Sequence, residues 1–232
     1  MGTKNITIYI EGIPETYPAG TTYHEIADVH QKDYSCPIVL ADADGRLREL
    51  TKEAADGCRL RFLTLKDKAG CDTYRRSLVL LMLKGIYHAV GDNSRLERVS
   101  VHFSVGESYY CTMQGEVLLT QEFLDEVKAY MHLLVQEAAP IRKSTIDTWE
   151  ACERFHRYRM YDKEELFRYR RSSKVNIYNL ETFEDYFYGY MLPDASYLTC
   201  FDLRLVEDGF WLGFPSMAEP GRRADFPPLE KV

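Results

Sequence analysis

The chain has 232 residues, with 36 acidic side chains against 29 basic ones and a net charge of -7. At 45% hydrophobic and 28% charged it has the composition of a soluble globular protein. The acidity excludes a global attraction to nucleic acid and leaves room only for a local basic patch. The longest apolar run, Leu78 to Leu83, stops at Lys84, far short of the roughly 20 residues that a membrane span needs. No signal-peptide core follows Met1. Six scattered cysteines (Cys36, Cys58, Cys71, Cys111, Cys152, Cys200) form no CxxC pair and read as reduced thiols. A cytoplasmic protein is expected, with no membrane partner.

Ile6, Ile8 and Ile10 alternate with Thr7 and Tyr9, which predicts a first strand over 5–10. Gly12 and Pro14 turn the chain into a second strand around Tyr17. Thr22 and Glu25 have capping-box spacing, so a short helix is predicted over 23–30. Strands follow at 37–41, at 46–50 after the Asp44-Gly45 hairpin signal, and at 59–64. The order predicts a small mixed sheet gripping one helix. Residues 67–71, polar and containing Gly70, read as a linker. The segment 72–90 is apolar on nearly every face between Leu78 and Ile86 and predicts a helix buried within a larger domain.

Strands are predicted at 98–105 and 108–112. Thr120 caps a helix over 121–139 whose Leu124, Val127, Met131 and Leu134 form one stripe. A strand at 142–146 leads to Thr148, the predicted N-cap of a helix to about Met160. The remainder reads as β-rich: 175–180, 183–191, 197–206 and 210–213. From 214 to 232 the chain is a proline-rich tail carrying Pro215, Pro220, Pro227 and Pro228. The predicted class is therefore α+β.

The most unusual local composition lies between Arg154 and Lys174, where eight cations stand against three carboxylates. Phe155, Tyr158, Tyr161, Phe167 and Tyr169 are interleaved with Arg157, Arg159, Arg168, Arg170 and Arg171. Arginines that neutralise phosphate and rings that stack on bases are the means by which single-stranded or looped RNA is held. The plainer reading is a charged helix pair with its aromatics packed inward. Cys152 and His156 form a literal CxxxH, but no second ligand pair accompanies them, so they read as a core cysteine beside a half-exposed histidine. There is neither a GxxxxGK[ST] phosphate loop nor a GxSxG elbow.

The order of elements, together with Leu118-Leu119-Thr120-Gln121-Glu122, Met131-His132 and Gly189 to Pro193, resembles two known domains. Residues 1–66 resemble a TGS domain of β-grasp fold. Residues 72–213 resemble the editing domain of threonyl- and alanyl-tRNA synthetases. That family binds zinc through an HxxxH pair on the buried helix and a CxxxH pair in the late β region. The alignment places Arg76 and Leu80 at the two helix positions, and Tyr190 and Asp194 at the late pair. Leucine offers no donor and arginine keeps its proton, so no metal and no cofactor is expected. No catalytic residue is assigned to this altered cleft. Tyr186, Tyr188, Tyr190 and Tyr197 crowd its surroundings.

The pairing of these two domains also resembles the N-terminal half of bacterial uridine kinase-like proteins. That resemblance implies a binding or regulatory module, with a C-terminal kinase domain as partner in a longer parent chain. Its ligand would be RNA or a small nucleoside- or amino-acid-like molecule. The rivals are a metal-independent aminoacyl-tRNA deacylase relying on Asp194 or Tyr190, and a stand-alone RNA-binding module.

Overall fold

The computed structural model describes residues 4–222 and 225–226. The chain is α+β and divides into two compact units: residues 1–77 with 189–193, and residues 78–188 with 194–232. Among the described residues no helix is long and apolar enough to cross a membrane.

The first unit is built on β1 (Asn5–Ile10), β2 (Ile13–Pro18), α1 (Tyr23–His30), β3 (Ile38–Ala43), β4 (Arg46–Arg48) and β5 (Arg59–Thr64). The sheet order is β2-β1-β5-β3-β4. β1 and β5 run parallel and every other pair is antiparallel. The alternation of β1 does what period two requires: Ile6, Ile8 and Ile10 are buried in one core with Ile26, Leu60 and Phe62. Glu11-Gly12 and Asp44-Gly45 both have positive φ at the two central positions, the handedness that two-residue hairpins need. Thr22 and Glu25 close a full capping box at the start of α1.

A single helix, α2 (Lys68–Val90), follows. The linker expected at 67–71 is thus its first turn. The Asp67 side chain accepts from Thr64 N–H at 2.8 Å, and the Asp67 carbonyl accepts from Cys71 N–H at 2.9 Å. Gly70 permits close packing within this turn. A Cβ on it would lie 2.0 Å from the Thr64 carbonyl oxygen.

The second unit continues with β6 (Leu96–Val105), β7 (Ser108–Gly115), α3 (Gln121–Gln136), β8 (Ile141–Asp147), α4 (Thr148–Arg157), α5 (Tyr161–Arg168), β9 (Lys174–Leu180), β10 (Phe183–Tyr186), β11 (Asp202–Val206) and β12 (Gly209–Gly213). They form two antiparallel sheets, β10-β9-β8 and β11-β12-β7-β6. From Leu78 onward α2 is buried nearly all round, as its apolar faces predict. Gly85 admits α3 closely, since a Cβ there would meet Val127 Cγ1 at 3.0 Å.

Several elements depart from expectation. Thr148 is the first residue of α4 rather than its cap, and its hydroxyl donates to the Ser172 carbonyl. α4 ends early because Arg159, at φ 59, lets Met160 N–H reach back to the Phe155 carbonyl, the closure of a Schellman turn. The chain then re-enters a helix, α5, so that α4 and α5 form the charged helix pair of the plainer reading. The late strands are short. β10 stops at Tyr186, and Ala195–Tyr197 is a 3-10 turn. Pro215 is buried; Pro227 and Pro228 of the expected tail lie outside the described residues.

The full burial of Ile26 sets one test. Ile26→Ala is expected to lower the unfolding free energy in urea by about 2–5 kcal/mol.

Candidate functional site

Of the four altered-cleft positions, the structure brings Arg76 and Tyr190 together, both in the first unit. Arg76 Nη1 donates to the Tyr190 carbonyl at 2.6 Å. The neighbouring Gly189, at φ +120, leaves room for that guanidinium; a Cβ would lie 2.6 Å from Arg76 Cζ. Two further side chains bind this segment and were not visible in the sequence. Ser77 Oγ donates to the Thr73 carbonyl and accepts from Leu192 N–H at 2.9 Å. Buried Glu49 accepts from Met191 N–H at 3.1 Å. The segment 189–193 is therefore held through its backbone, by contacts for which local periodicity carries no signal.

Leu80 and Asp194 belong to the second unit. Leu80 is fully buried. Asp194 caps the 3-10 turn, its Oδ1 accepting from Ser196 N–H at 2.8 Å and Ser196 Oγ at 2.5 Å. The four positions thus supply a guanidinium, an alkyl chain, a phenol and one carboxylate already engaged as a cap. That donor set does not fit the tetrahedral zinc of the resembling family. Among the described residues no group of three or more His, Cys, Asp or Glu side chains converges for a metal. In the CxxxH at Cys152, the Sγ faces the Glu164 carbonyl at 3.9 Å while His156 Nδ1 bonds Glu164 Oε2 at 2.9 Å. Burial pushes the Cys152 thiol pKa up.

The basic-aromatic stretch divides into two populations. Phe155 and Phe167 are buried and stacked, with centroids 5.5 Å apart, and Tyr186 meets Phe167 edge-on at 5.0 Å. Arg170 lies over Tyr186 at 4.6 Å, a cation–π contact. Arg154 pairs with Glu150 and Glu184, Lys163 with Asp185, and Arg168 with Glu164. These residues follow the inward-packed reading. Arg157, Arg159 and Arg171 are exposed and have no carboxylate at ion-pair distance among the described residues. Around them Trp149, Tyr161 and Tyr169 are exposed as well. Arg159 adds a minor pull to the lowered Asp92 carboxyl, which the Ser94 N–H chiefly sets. Its left-handed backbone costs a non-glycine residue about 1 kcal/mol or more.

On the other side of α2, Lys84 bonds Glu181 at 3.1 Å and Thr182 Oγ1 at 3.3 Å. The Tyr130 hydroxyl donates to Glu181 at 2.7 Å. That bond, reinforced by Lys84, holds the Glu181 carboxyl below its ordinary pKa against the effect of burial. His88 stacks on Tyr130 with centroids 3.5 Å apart.

No family model matches the chain. It is similar to threonine–tRNA ligases. The ligase of Oceanobacillus iheyensis is 25% identical over 207 residues, covering 89% of this chain and 31% of the ligase. That of Symbiobacterium thermophilum is 26% identical over 205 residues, covering 88% of this chain and 31% of the ligase. The Geobacter sp. ligase is 23% identical over 213 residues, covering 92% and 33%. The chain therefore spans about a third of the length of the curated relatives it matches. The synthetase half of the resemblance rests on this similarity; the uridine kinase half gains no support from these relatives.

Two outcomes follow from the geometry. Gly189→Ala is expected to lose more than about 1 kcal/mol of stability, with part of the loss recovered in Arg76→Ala/Gly189→Ala because the clash is removed; a double-mutant cycle by thermal unfolding checks it. A carboxyl whose folded pKa is depressed contributes stability above its unfolded value, here near 4.5, and loses it as pH falls through the folded value. The Tm of Tyr130→Phe should therefore fall less than that of the unaltered chain between pH 6 and pH 3.

Proposed function

We propose that the chain is a tRNA-recognition module of the kind contained in threonine–tRNA ligases, working in the cytoplasm and without hydrolytic chemistry of its own. In this reading residues 1–66 are the TGS-like part and 72–213 the editing-like part. The observation that carries it is the similarity over roughly nine-tenths of this chain to proteins that act on tRNA. The geometry supports binding over catalysis. Arg76 spends its guanidinium on a backbone carbonyl, Leu80 is apolar, and Asp194 is committed as a cap. Phosphates are met by Arg157, Arg159 and Arg171, exposed arginines with no carboxylate at ion-pair distance among the described residues. Arg168 and Arg170, engaged with Glu164 and Tyr186, position that surface. A kinase-type parent chain forms no part of this reading.

Metal-independent deacylation is the second reading, because the similarity extends over the editing-like residues; its one candidate carboxylate is Asp194. Filter binding of tRNA across a salt series tests for function on RNA, and hydrolysis of mischarged tRNA separates the two readings from each other. Affinity should fall with salt, and Arg157→Ala, Arg159→Ala and Arg171→Ala should each reduce the log–log slope by about 0.7–0.9. Affinity indifferent to salt would remove the proposal. Hydrolysis of mischarged tRNA that disappears in Asp194→Ala would establish the deacylase instead.

A further inference from the structure

The second unit contains a cleft of about 430 Å³ bordered by the C-terminal end of α2, the turn after α4 and the β9–β10 hairpin. This is the size range of small-ligand pockets. Tyr87 and Phe183, their centroids 5.0 Å apart, form one aromatic wall. Tyr158 stands on the opposing element, its carbonyl accepting from Asn93 Nδ2 at 2.9 Å. That bond leaves the Asn93 side-chain oxygen as an acceptor. Glu184 is a second acceptor, oriented by Arg154 Nη1 at 2.9 and 3.1 Å from its two oxygens. A second cleft, of about 360 Å³, adjoins the first at Tyr158 and carries exposed Trp149 and Arg157 beside Glu153 and beside Glu150, which Arg154 neutralises.

The chemistry of this pair of clefts is selective. A free amino acid needs an uncommitted cation for its carboxylate, but the cation inside the first cleft, Lys84, is neutralised by Glu181. An aliphatic ligand would offer no donor to the Asn93 oxygen or to the lone pairs that Glu184 keeps beyond its bonds from Arg154. A heteroaromatic ring with an exocyclic amine satisfies both, stacking on rings while donating at its edge. The cation able to meet a phosphate, Arg157, lies in the neighbouring cleft. A strand that spans both clefts therefore engages more of the groove than a single nucleotide does.

We propose that Tyr158 divides a two-nucleotide groove for unpaired RNA. One amine-bearing base enters the 430 Å³ cleft and donates to Glu184 and Asn93. The next nucleotide lies on Trp149 with its phosphate at Arg157. This rests on the tRNA reading and names the kind of RNA residue that the same surface takes.

The test titrates the full chain with a short single-stranded RNA carrying 2-aminopurine, with nucleoside monophosphates, and with tRNA. Binding of the oligonucleotide should quench the 2-aminopurine fluorescence. Tyr158→Ala should abolish the quenching and weaken binding about tenfold, the scale of one base–aromatic stack. Trp149→Ala, on an exposed side chain, should also weaken binding about tenfold and keeps the test decisive if Tyr158→Ala fails to fold. Glu184→Gln should erase a preference for cytosine over uracil. Unquenched fluorescence at saturation, or oligonucleotide affinity unchanged in Trp149→Ala and in folded Tyr158→Ala, overturns the groove. If tRNA binding is meanwhile retained and salt-sensitive, the tRNA reading survives and the groove alone is lost. Binding of monophosphates with none of either RNA makes the cleft a free-nucleotide site and overturns both.

Discussion

The candidate nucleic-acid surface depends on one buried ion pair. Asp185, on β10, is wholly inaccessible, and Lys163 of α5 reaches its Oδ2 at 3.1 Å. Burial raises the Asp185 carboxyl above its ordinary pKa, and Lys163 works in the opposite direction. Lys163 lies within ion-pair distance of an oxygen that has no aligned hydrogen bond. A buried charge is tolerated only while it is compensated; removal of one partner typically costs about 3–5 kcal/mol. α5 is thereby tied to the β9–β10 hairpin, and the stack of Phe155, Phe167 and Tyr186 forms beside that tie. Arg170, just after α5, lies over Tyr186 of the same hairpin.

The segment 189–193 is held in the first unit by side chains far away in the chain. At the helix position where the resembling family has an imidazole, Arg76 makes a direct bond to the backbone at Tyr190. A guanidinium donor and a carbonyl acceptor meet without a metal between them. The contact demands space, and Gly189 supplies it in a backbone region that other residues enter only at a cost. Ser77 and Glu49 complete the hold on the same short segment. These contacts serve the integrity of the first unit.

Different features of the fold were legible for different physical reasons. The strand alternation of Ile6, Ile8 and Ile10, the capping box at Thr22 and Glu25 and the apolar wrap of Leu78 to Ile86 are local patterns, and they survive folding because burial rewards them directly. Gly70 was misread because a glycine that breaks a helix and one that permits close packing look alike until the neighbour is known. A charged helix pair was legible between Arg154 and Lys174, but not its bounds, because charge conceals the one fully buried ring of α5, Phe167. The late strands were drawn too long because aromatic residues favour strands only when a partner strand is present.

What the sequence by itself determined is the α+β class, the order of most elements and the concentration of cations between Arg154 and Lys174. Residue types, periods of two or 3.6, and the chemistry of a side chain are all properties of single positions or short windows. The tertiary structure alone decided which of those cations are spent on carboxylates and rings and which remain exposed. It also decided that Arg76 bonds a carbonyl 114 residues away, and that Tyr87, Asn93, Tyr158 and Glu184 border one cleft. Such pairings join residues far apart in the chain, and their energies depend on distance and desolvation, quantities that exist only once the chain has folded.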